Sequence, residues 1–344
     1  MNWLLVFVPV SVVTELGHLE VLTFVAAALA IVPLSGLIGR ATGELAFHVG
    51  PRLGGLLNAS FGNLTEVIVA SLLVLANHFE VAKASLTGSI IGNLLLVLGL
   101  AFVVGGARRS EQKFSARSAS VHSASLVLAV TALLMPAILV LTYPGVARAQ
   151  TEILSALVAG VLLVSYVATI AFTQVTHSHL FDTDDEGGDS AWSGRRAVAV
   201  LLIAALLVGL ESELLVSSLN PALSALHLPT LFVGLIIIPV IGNAAEHSSA
   251  VLFAHRNRMN ITLEIAIGSS SQVALFVAPA VVFISLLLGH PMDFVFTGFE
   301  IVTVAMAALI VTVVCLDGRS NWLEGFQLMG TYLIIAAAAF FIRR

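Results

Sequence analysis

Long apolar runs, each ended by a few polar or helix-breaking residues, fill almost the whole chain. They cover 2–14, 19–47, 54–76, 84–105, 121–142, 152–174, 197–219, 230–254, 261–288, 294–315 and 323–342. A helix needs about 20 apolar residues to cross a bilayer, so the pattern predicts eleven transmembrane helices. The first run is short, with about 13 residues. A signal peptide would also give such a run, but the segment lacks a basic start and a small-residue cleavage site, so it reads as an uncleaved helix.

Polar residues inside these runs repeat. Gly62-Asn63-Leu64-Thr65-Glu66 is matched by Gly242-Asn243-Ala244-Ala245-Glu246, and each glutamate is followed 22 residues later by Gly-Ser, as Gly88-Ser89 and Gly268-Ser269. Every pair is separated by 180 residues, which identifies an internal duplication. An ionised carboxylate in hydrocarbon costs from about 2.5 to more than ~10 kcal/mol, so two of them at matching places point to a function.

With the first helix set aside, five spans lie on each side of the polar segment Thr176 to Arg196. An odd number of spans per repeat inverts the second copy relative to the first. The expected fold is therefore an all-α polytopic membrane protein with an extra N-terminal helix (1–18) and two inverted five-helix repeats (19–176 and 197–344) joined by an acidic linker (177–196). In that arrangement the two motifs can meet near the midplane.

Composition strengthens the membrane reading: 58% apolar and 10% charged residues, with a mean hydropathy of +1.04, exceed what a soluble domain needs. The placement of charge adds an orientation. With the N-terminus cytoplasmic, the inner loops hold Arg40, Arg52, Arg108, Arg109, Lys113, Arg117, Arg195, Arg196, Arg256, Arg258 and Arg319, whereas the outer side holds only Lys83, Arg148, Arg343 and Arg344. Eleven against four selects N-inside, C-outside. The net charge of −5 is set mainly by one acidic loop, and the single cysteine, Cys315, gives no disulfide or redox motif.

Glycine weakens the helix at Gly62 and Gly242, and Pro239 adds a break three residues before the second. Asn63 and Glu66, like Asn243 and Glu246, are three residues apart and share a helix face. Each motif thus offers a cluster of oxygen ligands. The partner runs Gly88-Ser89-Ile90-Ile91-Gly92-Asn93 and Gly268-Ser269-Ser270-Ser271-Gln272 supply small residues that allow close helix packing. Ser89 and Ser269 either pack the helices or, with Gly62 and Gly242, support the site, and Asn93 and Gln272 can orient a carboxylate or carry a ligand oxygen. For Asn93 and Gln272 packing explains less, because an amide in hydrocarbon needs a partner.

These strings, and Gly242-Asn-Ala-Ala-Glu-His247 followed by Gly268-Ser-Ser-Ser-Gln-Val-Ala-Leu-Phe-Val-Ala-Pro279 above all, resemble the two alpha repeats of the calcium/proton antiporters of the cation exchanger superfamily. The resemblance runs from about residue 19 to the end. Sodium/calcium exchangers of the superfamily usually place proline directly before the repeat glutamate. Thr65 and Ala245 stand there in this chain, which favours the proton-coupled branch. The resemblance implies that Glu66 and Glu246 are the cation ligands and proton carriers of one alternating-access site, supported by Asn63 and Asn243. It also implies that Glu44, in Ala-Thr-Gly-Glu, and Glu213, in Glu-Ser-Glu, are acids of paired gating helices.

Two carboxylates close together in a poorly solvated site resist double ionisation, and either a dication or protons relieve the strain. Mutually exclusive occupancy then yields exchange. Oxygen-only ligands fit Ca²⁺ and are compatible with Mn²⁺, while no Cys/His cluster argues for zinc or copper. His247 points about 100° away from Glu246 on a helix, leaving it a structural, hydrogen-bonding or proton-relay role. No cofactor is expected; the partners are Ca²⁺, H⁺ and the lipid bilayer, with no nucleic acid, and homo-oligomerisation is left open. The compact loops suggest a prokaryotic plasma membrane.

The loop containing Asp182, Asp184, Asp185 and Glu186 begins like an EF-hand but has Ser193 where the bidentate glutamate belongs. It reads as a solvated linker, to which the resemblance adds a regulatory or cation-gathering role. Sodium-coupled calcium exchange is the near alternative, since Ser89 and Ser269 leave monovalent sites open. An intramembrane metal hydrolase would need a second histidine at helical spacing from Glu246-His247, a channel would need a continuous polar stripe, and direct ATP drive would need a Walker motif. The chain has none of these.

Overall fold

The computed structural model describes residues 2–178 and 191–342. In chain order, its first helices are α1 (Phe7–Leu16), α2 (Glu20–Val49), α3 (Pro51–Phe61), α4 (Leu64–Leu75) and α5 (Phe79–Gly106). Then come α6 (Ala116–Thr142), α7 (Arg148–Thr176), α8 (Gly194–Ser217), α9 (Leu219–Leu226) and α10 (Thr230–Gly242). The last are α11 (Ala244–His255), α12 (Met259–Leu287), α13 (Gly298–Val314) and α14 (Trp322–Phe341). Among the described residues the only sheet is a two-residue antiparallel pair, Gln112 opposite Ser320 and Lys113 opposite Arg319.

Seven of the described helices are long and apolar enough to cross a membrane, and an eighth span arises if α9 and α10, bent by 118°, are taken together. The sequence pattern predicts more spans because the runs 2–14 and 294–315 form only the short helices Trp3–Leu16 and Gly298–Val314, and because two further runs are interrupted. The run 54–76 divides into α3 and α4, and 230–254 divides into α10 and α11. Apolar composition continues through each break, so hydropathy alone does not mark it. Outward faces remain strongly apolar, with Leu128 71% and Leu206 75% exposed. Such faces belong in lipid, and the helices satisfy their own backbone hydrogen bonds there. The chain is an integral membrane protein.

Two compact units can be distinguished, each drawing on both halves of the sequence. One comprises the described residues of Met1–Ser85, Asp185–Ala245 and Ala339–Arg344. Its core joins α2 to α8 through Leu34, Ile38 and Ala41 on one helix and Leu201, Ala204 and Val208 on the other. Both sets recur at three or four residues, the stripe of a helix with one buried face, and the alanines allow a close approach. Here α1 is anchored by its buried Ser11, whose hydroxyl donates to Glu211 Oε1 of α8 at 2.9 Å.

The other unit comprises the described residues of Leu86–Asp184 and Glu246–Ala338. In it α6 packs against α7, α12 and α13, and Tyr166 of α7 stacks on Phe276 of α12 with centroids 4.9 Å apart. Helices α5 and α14 touch backbone to backbone at Gly99 and Gly325. A Cβ on Gly325 would lie 2.6 Å from the Gly99 carbonyl oxygen, so only glycine fits. Ser115 caps α6 by accepting from the Ser118 N–H, and Asn260 Oδ1 accepts the Ser115 N–H at 2.8 Å, which sets the start of α6 beside the start of α12.

Candidate functional site

The two repeat motifs fold into the same local device. Helices α4 and α11 each have 12 residues, and their bounds are 180 residues apart. Each begins directly after an asparagine that leaves helical geometry, Asn63 at φ −94°, ψ 21° and Asn243 at φ −99°, ψ 8°. Glycine is required at Gly62 for the close approach of the backbone there, since a Cβ would fall 2.6 Å from the Asn58 carbonyl oxygen. Near Asn243 the preceding turn holds Pro239, and the asparagine Nδ2 donates to the Pro239 carbonyl at 3.1 Å, tying off a main-chain acceptor at the helix end. Gly242 has open space around its Cα.

Both asparagines are buried, and both glutamates are half-buried, each in the first turn of the helix that follows the break. Around Glu246 the polar neighbours form a connected network within one unit. Ser269 Oγ donates to Glu246 Oε2 at 3.0 Å, Asn93 Nδ2 donates to Ser269 Oγ at 3.2 Å, and His247 Nε2 lies 3.1 Å from Asn93 Oδ1. His247 is thus held by the amide of α5, a hydrogen-bonding position. Ser89 is buried and Gln272 half-buried on the helices that carry Asn93 and Ser269. Asn93 sits in a π turn, Gly92–Val97, and another, Val273–Val277, follows Gln272 at the equivalent place in α12.

Glu44 and Glu213 occupy different surroundings. Glu44 Oε2 accepts the Trp192 N–H at 3.1 Å and its Oε1 is 4.0 Å from Arg40 Nε, while Arg40 and Arg196 lie over the Trp192 ring at 4.7 and 5.1 Å. Glu213 is exposed on α8. The acid that α8 buries is Glu211, fully enclosed and bonded to Ser11. A second acid missed in the sequence is Glu264 of α12, whose Oε2 lies 2.7 Å from His122 Nε2 of α6. No local pattern signals either one. Asp182, Asp184, Asp185 and Glu186 lie outside the described residues.

Among the described residues no group of three or more His, Cys, Asp and Glu side chains is placed to hold a metal ion. The motifs offer carboxylate, amide, hydroxyl and carbonyl oxygens, a donor set for a hard cation.

Comparison with known proteins places the chain beside membrane exchangers. The family model described as sodium/calcium exchanger protein matches residues 19–174 and again 196–341. The chain is 44% identical over 355 residues to a Ca(2+)/H(+) antiporter of Aphanothece halophytica, covering 98% of this chain and 95% of that protein. It is 37% identical over 342 residues to the Ca(2+)/H(+) antiporter ChaA of Bacillus subtilis strain 168, covering 97% of each. The solved structure of native YfkE superposes with a TM-score of 0.85 at 36% identity, covering 97% of both chains.

Proposed function

The chain belongs to the sodium/calcium exchanger protein family, whose members are transporters and not enzymes, and from that premise we propose that it is a secondary antiporter exchanging Ca²⁺ for H⁺. What carries the reading is the duplicated break, in which Asn63 and Asn243 each open a 12-residue helix with a carboxylate in its first turn. The relatives at 44% and 37% identity bear the name Ca(2+)/H(+) antiporter, which supports the choice of ions. Thr65 and Ala245, in place of proline before each glutamate, favour protons over sodium as the coupled ion.

In this mechanism Glu66 and Glu246 are the exchanging carboxylates. Ca²⁺ neutralises the pair in one phase and protons in the other, and the doubly ionised empty state is disfavoured by desolvation and repulsion. That penalty suppresses movement of one ion without the other. Asn63 and Asn243 hold the broken backbone, and Ser269 and Asn93 orient Glu246. The eleven-helix topology with an extra helix and two inverted repeats completes the proposal, and the family match in two blocks, 19–174 and 196–341, supports those limits. The N-terminus faces the cytoplasm of a prokaryotic plasma membrane on the charge bias of the loops.

The test is ⁴⁵Ca²⁺ uptake into proteoliposomes under an imposed pH gradient and, separately, an imposed Na⁺ gradient, with Mn²⁺ as competitor. Uptake driven by the pH gradient alone is expected. Uptake driven only by Na⁺ would overturn proton coupling.

A further inference from the structure

His122 and Glu264 come together from positions 142 residues apart, on the adjoining starts of α6 and α12. The contact is 2.7 Å, an ion-pair distance. The partners differ in access: the His122 side chain is 10% exposed, whereas that of Glu264 is 51% exposed. They line a cleft of about 10 Å³ with Ser115, Ser118 and Asn260, polar groups at the helix starts, and this is room for about one water. His122 lies six residues into α6, about 9 Å along its axis. The pair therefore sits between solvent and the interior.

Its inner side leads toward the Glu246 network. Residues 264–268 form a π turn, which brings a side chain and the one five residues on closer to the same face than an α-helix would. Glu264 Oε1 lies against Gly268, 3.0 Å from where a Cβ would be, so the missing side chain leaves the carboxylate its lane. The next residue is Ser269, whose hydroxyl already donates to Glu246 Oε2. All these groups belong to one compact unit.

We propose that His122 and Glu264 form a proton-binding pair that serves Glu246 from the face carrying Arg117 and Arg258. Glu264 takes a proton from bulk solvent, passed through water in the cleft that regains one from solvent, and shares it with His122 Nε2. On transfer, Ser269 gives its hydroxyl proton to Glu246 and accepts the replacement from the pair's side, so no net charge stays on the hydroxyl. On the return phase the proton leaves by the same groups. Other charged groups on neighbouring elements are differently engaged: Arg117 and Arg258 are exposed, and Glu300 of α13 is bonded to Thr297 and Thr87. The pair is not a cation ligand.

This inference rests on the exchange reading, and two modes of transport separate the two. Ca²⁺/Ca²⁺ self-exchange needs no proton movement, whereas pH-driven uptake does. In proteoliposomes, Glu264→Gln and His122→Asn should slow pH-driven ⁴⁵Ca²⁺ uptake at least about tenfold, with Glu264→Asp restoring part of the rate. Self-exchange and equilibrium Ca²⁺ affinity should stay within about twofold of wild type. Equal loss in both modes would make the pair structural and overturn the proposal, as would an unchanged pH-driven rate. Wild-type protein without pH-driven uptake would overturn the exchange reading itself. Should His122→Asn fail to elute as a monodisperse species, the half-exposed Glu264→Gln decides alone.

Discussion

The two copies of the motif share a backbone and differ in their polar company. Asn63 and Asn243 break their helices with nearly the same dihedral angles, and α4 and α11 have the same length. At the 180-residue offset, however, His247 corresponds to Val67, Asn93 to Val273, Gln272 to Gly92 and Glu264 to Ala84. Duplication has preserved the element that bends the chain and positions a carboxylate. Of the groups around Glu246, Ser269 keeps its counterpart in Ser89 whereas Asn93 and His247 do not, so the two halves need not handle protons alike. The backbone device is the shared requirement, and the side-chain network is where the halves specialise.

That distinction can be broken most severely at the glutamates. Glu66→Gln and Glu246→Gln each remove charge with little change of volume, and each should lower Ca²⁺ exchange by at least about a hundredfold while the protein still elutes as a folded species. Retention of wild-type flux by either variant would dissolve the equivalence of the halves. Next in size is the effect of pH. A carboxylate that gains a proton loses the charge that holds the cation, so apparent Ca²⁺ affinity should fall as pH decreases, by up to about tenfold per pH unit for each proton displaced. An affinity that stays flat between about pH 8 and about pH 5.5 would mean that the two ions do not share these groups.

Asn93→Val places in the first half the residue the second half carries at 273, and so tests the divergent network directly. It removes the bridge between Ser269 and His247 and should weaken Ca²⁺ binding about tenfold, the usual scale for a group that orients a ligand. Tracer binding isotherms measure it. Neutralising Asp182, Asp184, Asp185 and Glu186 together should alter apparent affinity on one face by no more than a few-fold and leave maximal exchange intact, because their field fades over about 8 Å at physiological salt. Loss of all transport in that variant would bring the linker into the transport path. Ser11→Ala should leave transport least changed; by stranding Glu211 it should destabilise the fold by about 1–3 kcal/mol, read as a lower melting temperature in detergent.

How far such features could be read beforehand depends on whether their signal is local. The duplicated Gly-Asn-x-x-Glu strings announce themselves in one dimension, and the loosening expected of Gly62 and Gly242 coincides with the places where the structure interrupts both helices. The acids of α8 show the opposite case. Glu211 and Glu213 are two residues apart, about 200° around the helix, so only one can face the interior. Family likeness selects Glu213, whereas contact with α1 and α2 encloses Glu211. The apolar pattern of α8 alone does not reveal which side its neighbours cover. His122 looks like one more histidine at the edge of a span until α12 is laid against α6.

The π turns at Gly92–Val97 and Val273–Val277 carry a further consequence. A π turn accommodates one residue more than the α-helical turn it replaces, so each of these helices stores a residue of slack. Passing that surplus one position along the axis turns the intervening residue by about 100° while both helix ends keep their anchors. A straight α-helix would have to unwind or slide as a rod to achieve the same rotation. The backbone that presents Asn93 to Ser269 is therefore built to re-aim a side chain in place, with the lipid-facing surface left undisturbed.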